Sequence, residues 1–451
     1  MAGLPFDRAL RALYSAGMTV AQPLLRRKLR RRGVAEPGYL EAVDERFGRY
    51  AMQPPPVKGP RIWLHAVSLG ETRAAAVLVA ALRERLPGMQ LLLTHGTATG
   101  RAEGRKLLLA GDLQAWLPWD TSGAVSRFLG HFRPSAGLLM ETEVWPSLVA
   151  GCRAAGIPLA LVNARLSEKS LHDAERLAWL ARPAFAGLAA AWAQTDADAR
   201  RLSALGAPVA GVFGNLKFDM APDPAQCSAG RRWRSAAGRP VLLLASSREG
   251  EEALWIAAVR ALPAAVQWLL VPRHPQRFDE VAALLAQAGL SVSRRSTWTA
   301  LGPDQAPPAA DVWLGDSLGE MALYYSLADA ALLGGSFGDT GGQNLIEAAA
   351  CGCPVVMGPS TFNFAEAAVL AEASGAALRV ADMPQGIGVA LALAGDDGRL
   401  GQARDAALSF AATHRGAAAR TADAVCALLA TGQSRIENAG DTSKVADERG
   451  E

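Results

Sequence analysis

The sequence predicts an α/β protein of two αβα domains, each a parallel sheet covered by helices on both faces. Three observations predict it. Short apolar runs recur along the 451 residues, each followed by a small-residue loop and a helical stretch. Parallel strands buried on both faces read as such continuous runs. The rhythm breaks once, at FGNLKFDMAPDPAQ (213–226), where two prolines, a glycine and several turn formers read as an interdomain linker. Half of the residues are hydrophobic and a fifth are charged, which excludes a disordered chain, a collagen-like chain and a coiled coil.

The chain opens on a segment with its own charge. Residues 1–35 hold eight basic side chains and one acid, a local +7, so the other 416 residues sum to −4 and the whole to +3. That overall balance gives no ground for a nucleic-acid partner. Between Arg11 and Arg26 lie 14 uncharged residues, interrupted by Gly17 and Pro23. A spanning helix needs about 20. The main basic cluster (Arg26, Arg27, Lys28, Arg30, Arg31, Arg32) follows the apolar stretch, the reverse of a cleavable signal peptide. A short apolar helix and then a polybasic run reads as an interfacial anchor on an anionic membrane surface. The alternative is a solvated basic helix docked on its own domain.

A first domain is expected over 36–215. Its strands are RIWLHAV (61–67), MQLLLT (89–94), AGLLM (136–140), IPLALVN (157–163) and AAAWAQ (189–194), with the helical TRAAAVLVAALRERL after the first. A second domain, 216–430, repeats the pattern with VLLLAS (241–246), QWLLVP (267–272), DVWL (311–314), ADAALLG (328–334) and CPVVMG (353–358). It ends in an Ala-rich helical region at roughly 397–430, and residues 431–451 are a polar tail expected to be disordered. The five cysteines are scattered and odd in number, which fits a reduced compartment. Cys351 and Cys353 have no second Cys/His pair at zinc spacing and no HExxH pattern occurs, so no metal site is expected.

Ligands in open parallel sheets bind beyond the carboxyl ends of the strands, and the unusual residues of this chain follow strands. G-x-G-x-x-G and the P-loop are absent, which disfavours dinucleotide oxidoreductases and P-loop kinases. In WLHAVSLGE (63–71), Glu71 opens a helix. It is either a first-turn acid complementing the helix dipole or a carboxylate base, with Gly70 admitting a close substrate. In ETEVWP (141–146), Glu141 and Glu143 stand beside Trp145. Carboxylates so placed either open a helix, hold sugar hydroxyls or stabilise developing positive charge on a sugar ring. Lys217 in GNLKFD is one of only six lysines against 40 arginines, and it either meets an anionic substrate or decorates a linker. Arg273 and His274 in PRHPQR are placed to meet a phosphate or carboxylate, or are solvated charges of a capping loop. After ADAALLG, residues 335–342 bring four glycines and two hydroxyls before a helix that opens with Gln343 and Asn344. This is a backbone-donor pocket suited to a phosphate. Glu347 and Glu320 are candidates to accept from a ribose diol.

These motifs, in order and over roughly 60–365, resemble the 3-deoxy-D-manno-octulosonic acid (Kdo) transferases of lipopolysaccharide synthesis. WLHAVSLGE, ETEVWP, NARLSEKS, GNLKFD, PRHPQR and GGSFGDTGGQNLIE carry the resemblance. It implies a GT-B fold, two Rossmann-like domains facing a central cleft, the first binding acceptor and the second the CMP-sugar. It implies an inverting transfer of Kdo from CMP-Kdo to a lipid A precursor (lipid IVA), without metal or cofactor, at the cytoplasmic face of the bacterial inner membrane. It assigns Glu71 as proton acceptor, Glu141 and Lys217 as transition-state stabilisers, and Arg273, His274, Gly319, Glu320, Met321, Ser336, Asn344, Leu345, Ile346 and Glu347 to the substrate. Two departures stand out: Ser247-Arg248 before GEE (250–252) where the family usually has Thr-His, and Glu347-Ala348 where it has Glu-Pro. Two other readings remain: an inverting GT-B transferase using a UDP-sugar, and an inactive membrane-associated nucleotide-binding protein.

Overall fold

The computed structural model describes residues 5–260, 262, 265–298, 305 and 307–431. The chain divides into two compact units, Met1–Asp219 with Gly416–Glu451, and Met220–Arg415.

The first unit holds a seven-stranded sheet: β1 (Arg61–His65), β2 (Gln90–His95), β3 (Leu113–Trp116), β4 (Ala136–Met140), β5 (Leu159–Ala164), β6 (Ala190–Ala193) and β7 (Val209–Val212). Every pairing is parallel, in the order β3-β2-β1-β4-β5-β6-β7. Alternating side chains of one strand feed opposite cores. Trp63 and Leu139 pack with Phe128 and Phe132 on one face, while Ile62, Leu64 and Leu138 pack with Leu78 and Leu82 on the other. Burying each such side chain contributes roughly 1.5–3 kcal/mol, which fixes the register and hence where each strand ends.

The second unit repeats the design with β8 (Val241–Ser247), β9 (Gln267–Pro272), β10 (Val292–Arg294), β11 (Val312–Leu314), β12 (Ala330–Leu333), β13 (Val355–Met357) and β14 (Ala377–Arg379). Its order is β10-β11-β9-β8-β12-β13-β14, again all parallel. Two parallel sheets flanked by helices is the expected class. The four strands that the sequence reading omitted, β3, β7, β10 and β14, are the four sheet edges.

The domain limits differ from the expected 215/216 boundary and 430 end. Residues 216–219 belong to the first unit, and the chain returns to it at Gly416. The Ala-rich region is therefore two helices, Asp397–Thr413 in the second unit and 417–431 in the first. Gly416, at φ +98°, breaks them apart. Ala417, Ala418, Ala422 and Val425 join the core that β1 faces. Asp219 ties exit to return: its carboxylate accepts from the backbone N–H of Gly416 (2.5 Å) and Ala418 (2.6 Å). Of the expected polar tail, all but Thr431 lies outside the described residues.

The N-terminal segment forms helices Pro5–Val20 and Gln22–Ala35. Part of it docks on its own unit. Ser15 Oγ accepts from Ser122 N at 2.9 Å, Leu29 is buried, and the Arg26 guanidinium lies 3.9 Å over the Phe47 ring. Leu13, Val20 and Leu24 are exposed. Among the described residues no helix is long and apolar enough to cross a membrane.

Candidate active site

In each sheet the strand order turns back at the unit's first strand, between β1 and β4 in the first unit and between β8 and β12 in the second, and the second sheet turns back again at β11. Such a switch point leaves a crevice outside the carboxyl ends of the flanking strands. Glu71 and Glu141 follow the flanking strands β1 and β4, and the glycine-rich loop with Asn344 to Glu347 follows β12, whereas Arg273 and His274 follow β9, Gly319 to Met321 follow β11 and Lys217 follows the edge strand β7.

In the first unit, β1 leads through Val67 and Ser68 to Glu71, in the first turn of the helix Leu69–Arg85. Ser68 caps that helix: its Oγ accepts from Glu71 N at 3.4 Å. Glu71 answers, with Oε1 accepting from Ser68 Oγ (2.8 Å) and Oε2 from Val67 N (2.9 Å). This is close to a capping box, so the helix-opening role and the catalytic one coexist in one side chain. The carboxyl is half-buried and its pKa is raised, first by burial and then by the charges of Glu141 and Glu143, against the Val67 and Ser68 hydrogen bonds. A Cβ added at Gly70 would meet nothing within 4 Å, so the approach beside Glu71 is open.

Glu141 follows β4 across the switch point. It is not glycine, yet it sits at φ +58°, a left-handed conformation that costs about 1–3 kcal/mol and concentrates at functional sites. Its backbone spans to the next strand end, N–H to Val162 O (3.1 Å) and C=O from Arg165 N (3.3 Å), and its carboxylate lies 3.8 Å from the Arg165 guanidinium. Glu143 accepts from Trp145 Nε1 at 2.9 Å, and burial raises its pKa, with Glu141 adding to the effect. Three carboxylates thus act on one another at one switch point.

Lys217, expected to open the second domain, lies in the first unit with the two glutamates. Its turn, Leu216–Asp219, packs against the helix that Glu71 opens. A buried amide relay places it. Asn163, at φ +50° near the end of β5, accepts from Leu216 N through Oδ1 (3.0 Å). Its backbone C=O takes Gln194 Nε2 (2.9 Å), Gln194 Oε1 takes Asn215 Nδ2 (3.0 Å), and Asn215 Oδ1 takes Lys217 N (3.0 Å). His65 and His95 lie behind this site and are buried. Burial holds their pKa values down to about 3 and about 4, so both are neutral and structural.

In the second unit, β9 delivers Arg273, exposed, and His274, half-buried. Arg273 Nε donates to Gln343 Oε1 (3.1 Å), and Arg248 Nη1 donates to His274 Nε2 (2.6 Å). Burial lowers the pKa of His274, and Arg248, Arg273 and Arg277 lower it further. Glycine is required at 334, where a Cβ would stand 2.3 Å from Ser246 O. The loop beyond it is held by Glu251, whose carboxylate accepts from Gly335 N (2.8 Å), Phe337 N (3.1 Å) and Arg248 N (2.8 Å). Asn344 caps the helix Leu345–Ala350 by accepting from Ile346 N (3.1 Å), which leaves Glu347 half-buried one turn in. Gly319 is open and at φ +79°, and Glu320 pairs with Arg295 at 2.7 Å ahead of Met321.

Three of the expected contacts are not made by exposed side chains. Ser336 is wholly buried: its hydroxyl donates to Leu333 O (2.5 Å) and accepts from Gly358 N (2.8 Å), so it shapes the loop. Leu345 and Ile346 are buried as well and have only backbone to offer. Among the described residues no group of three or more His, Cys, Asp or Glu is placed to hold a metal. Glu251, Arg248 and the amide relay were not selected from the sequence. The signal for Glu251 was the helix-opening GEE directly after β8. The relay is nonlocal and left no spacing to read.

Comparison with known proteins decides the family. The model described as "3-Deoxy-D-manno-octulosonic-acid transferase (kdotransferase)" matches residues 41–220. The 3-deoxy-D-manno-octulosonic acid transferase of Bordetella pertussis is 50% identical over 428 residues, 92% of this chain and 98% of that protein. The chain belongs to the Kdo transferase family. The Haemophilus influenzae transferase is 33% identical over 368 residues, 79% of this chain and 84% of its own length. A glycosyltransferase from Rickettsia africae shares the fold, with a TM-score of 0.54 at 12% identity, covering 82% of this chain and 98% of that one. The transferase is accordingly a glycosyltransferase of GT-B type, with a parallel seven-stranded sheet in each unit.

Proposed function

We propose that the transferase moves Kdo from CMP-Kdo to a hydroxyl of a lipid A precursor, lipid IVA, with inversion at the anomeric carbon and Glu71 as general base. The observation that carries this is Glu71 itself: an accessible carboxyl at the β1/β4 switch point, its pKa raised by burial and by two neighbouring carboxylates. A base works best when its pKa approaches the working pH. The acceptor O–H gives its proton to Glu71, the oxygen bonds to the anomeric carbon, and the bond to the phosphate breaks with its electron pair leaving on CMP.

The transition state carries oxocarbenium-like charge next to the Kdo carboxylate and the departing phosphate. Glu141, coupled to Glu71, stabilises the positive ring, and Lys217 balances the donor's anions. In the second unit, Arg273, His274 and the amides around Asn344 take the phosphate, with Glu320 and Glu347 as ribose acceptors. A monophosphate leaving group needs less metal assistance than a diphosphate, so the proposed reaction uses neither metal nor cofactor.

The exposed Leu13, Val20 and Leu24 and the basic helix Gln22–Ala35 support docking on an anionic leaflet, the cytoplasmic face of the inner membrane, where a lipid acceptor lies. The test is turnover with purified transferase: CMP-Kdo should be consumed only when a lipid A precursor is present. Thermal-shift titration separates the nearest alternative. Stabilisation by UDP in preference to CMP overturns the donor assignment, and tight nucleotide binding without turnover of any activated sugar favours the inactive binding protein.

A further inference from the structure

Arg248 stands at the β8/β12 switch point, on the turn that leaves β8. Its backbone N–H and that of Gly335 share one oxygen of Glu251, both at 2.8 Å. The arginine and the glycine-rich loop are therefore positioned by a single buried carboxylate. Its side chain lies along that loop: Arg248 Cγ would be 3.5 Å from a Cβ at Gly335. The guanidinium ends on His274, donating from Nη1 to Nε2 at 2.6 Å. On the other side of His274, Arg273 reaches Gln343 at the far end of the same loop. Two strand ends thus deliver two arginines and an imidazole around one set of backbone donors.

Among the described residues, no acidic side chain figures among the charges acting on that imidazole. From the helix Glu251–Val259, Glu251 is spent on three backbone amides, and Glu252 accepts from Ser247 Oγ (2.7 Å) and Arg277 Nη1 (2.8 Å). Glu280 is paired with Arg277, and Asp339 on the glycine-rich loop is exposed. The charges that act on His274 are Arg248, Arg273 and Arg277. An imidazole that accepts a hydrogen bond from a guanidinium is neutral at that nitrogen. The arrangement has excess positive charge and one proton site held empty.

We propose that Arg248 is a further donor-binding residue: it leaves His274 for the phosphate of the nucleotide, and the freed Nε2 takes up a proton and donates to the same phosphate. Arg248 then supplies a permanent charge, and the nearby His274 supplies a titrating one. This rests on the donor half-site assigned above to CMP-Kdo. It adds that phosphate binding by this chain is coupled to proton uptake.

The experiment uses the full chain, CMP and cytidine as probes, and isothermal titration near pH 7 in two buffers of different ionisation enthalpy. The parent should bind CMP with net uptake of a fraction of a proton and bind cytidine with none. Arg248→Gln should bind CMP roughly 10- to 100-fold more weakly, the effect of one lost charge-assisted contact. Its cytidine affinity should be unchanged and its proton uptake reduced, because His274 is then less suppressed before binding. Arg248→Lys keeps the charge and should fall between the two, which separates loss of the contact from loss of fold. Equal CMP affinity and equal uptake in Arg248→Gln overturn the inference while leaving the donor half-site standing. Weaker binding of CMP and cytidine alike overturns it in favour of a purely structural arginine. Failure of the parent to bind CMP at all overturns the donor assignment itself.

Discussion

Glu251 offers the sharpest test of how the donor half-site is built. Its buried carboxylate accepts three backbone N–H groups, from Arg248, Gly335 and Phe337. Glu251→Ala leaves all three without that acceptor. A stranded buried donor costs about 1–3 kcal/mol. The Arg248 amide lies on a half-exposed turn and can rehydrate, so the lower end applies, about 3 kcal/mol in total. In a unit of this size each kcal/mol moves the transition by roughly 2–4 °C, giving a fall of about 6–12 °C. Removing a carboxylate whose own pKa is raised by burial offsets part of this. The same amides set the curvature of the glycine-rich loop, so CMP affinity should drop by an order of magnitude or more. Differential scanning calorimetry and CMP titration read the two effects. A variant that melts with the parent and binds CMP as tightly would show that Glu251 does not hold the loop.

Three further outcomes are expected. Glu141→Gln removes a negative charge that raises the pKa of Glu71, so the acid limb of the rate profile, where Glu71 must lose its proton to act, should move to lower pH; a pH–rate series showing the limb unmoved or raised breaks the coupling. Tyr14→Phe removes the hydroxyl that hydrogen-bonds to Asp120, the carboxylate that accepts from Ser147 N (2.9 Å) and Leu148 N (2.8 Å). The cost should be about 1 kcal/mol, with faster proteolysis in the N-terminal helix, and unchanged protection there would deny the docking role. Because the pKa of Glu71 is raised on folding, its ionised form opposes the fold, so Glu71→Gln should raise the melting temperature at neutral pH and lose that advantage as pH falls below the carboxylate range.

The interior of the fold was legible because central parallel strands must be apolar on both faces, and runs such as QWLLVP and VLLLAS show it. The four edge strands escaped because an edge has a neighbour on one side only and need not be apolar throughout: LQAW carries a glutamine, VAGV a glycine, and VSR and ALR are short and end on arginine. Glu71, Glu141, Arg273 and the glycine-rich loop were legible because they directly follow such runs. The return of residues 417–431 to the first core was not, since one alanine-rich helix can serve either sheet, and the choice rests on Gly416 and on Asp219 nearly two hundred residues earlier. The role of the Ser336 hydroxyl was not legible for a related reason: in a glycine-rich loop it reads as a ligand donor, whereas its bonds to Leu333 and Gly358 engage it within the loop.

The central claim is that Glu71 takes the acceptor's proton. The most direct measurement is the rate of Kdo transfer from CMP-Kdo to a lipid A precursor by Glu71→Gln, taken beside its affinity for CMP. Glutamine keeps the volume and can still accept from Val67 N. The account predicts transfer slowed by about 10²–10⁴-fold, the usual contribution of a positioned base, with CMP affinity unchanged. Transfer at the parental rate would contradict it.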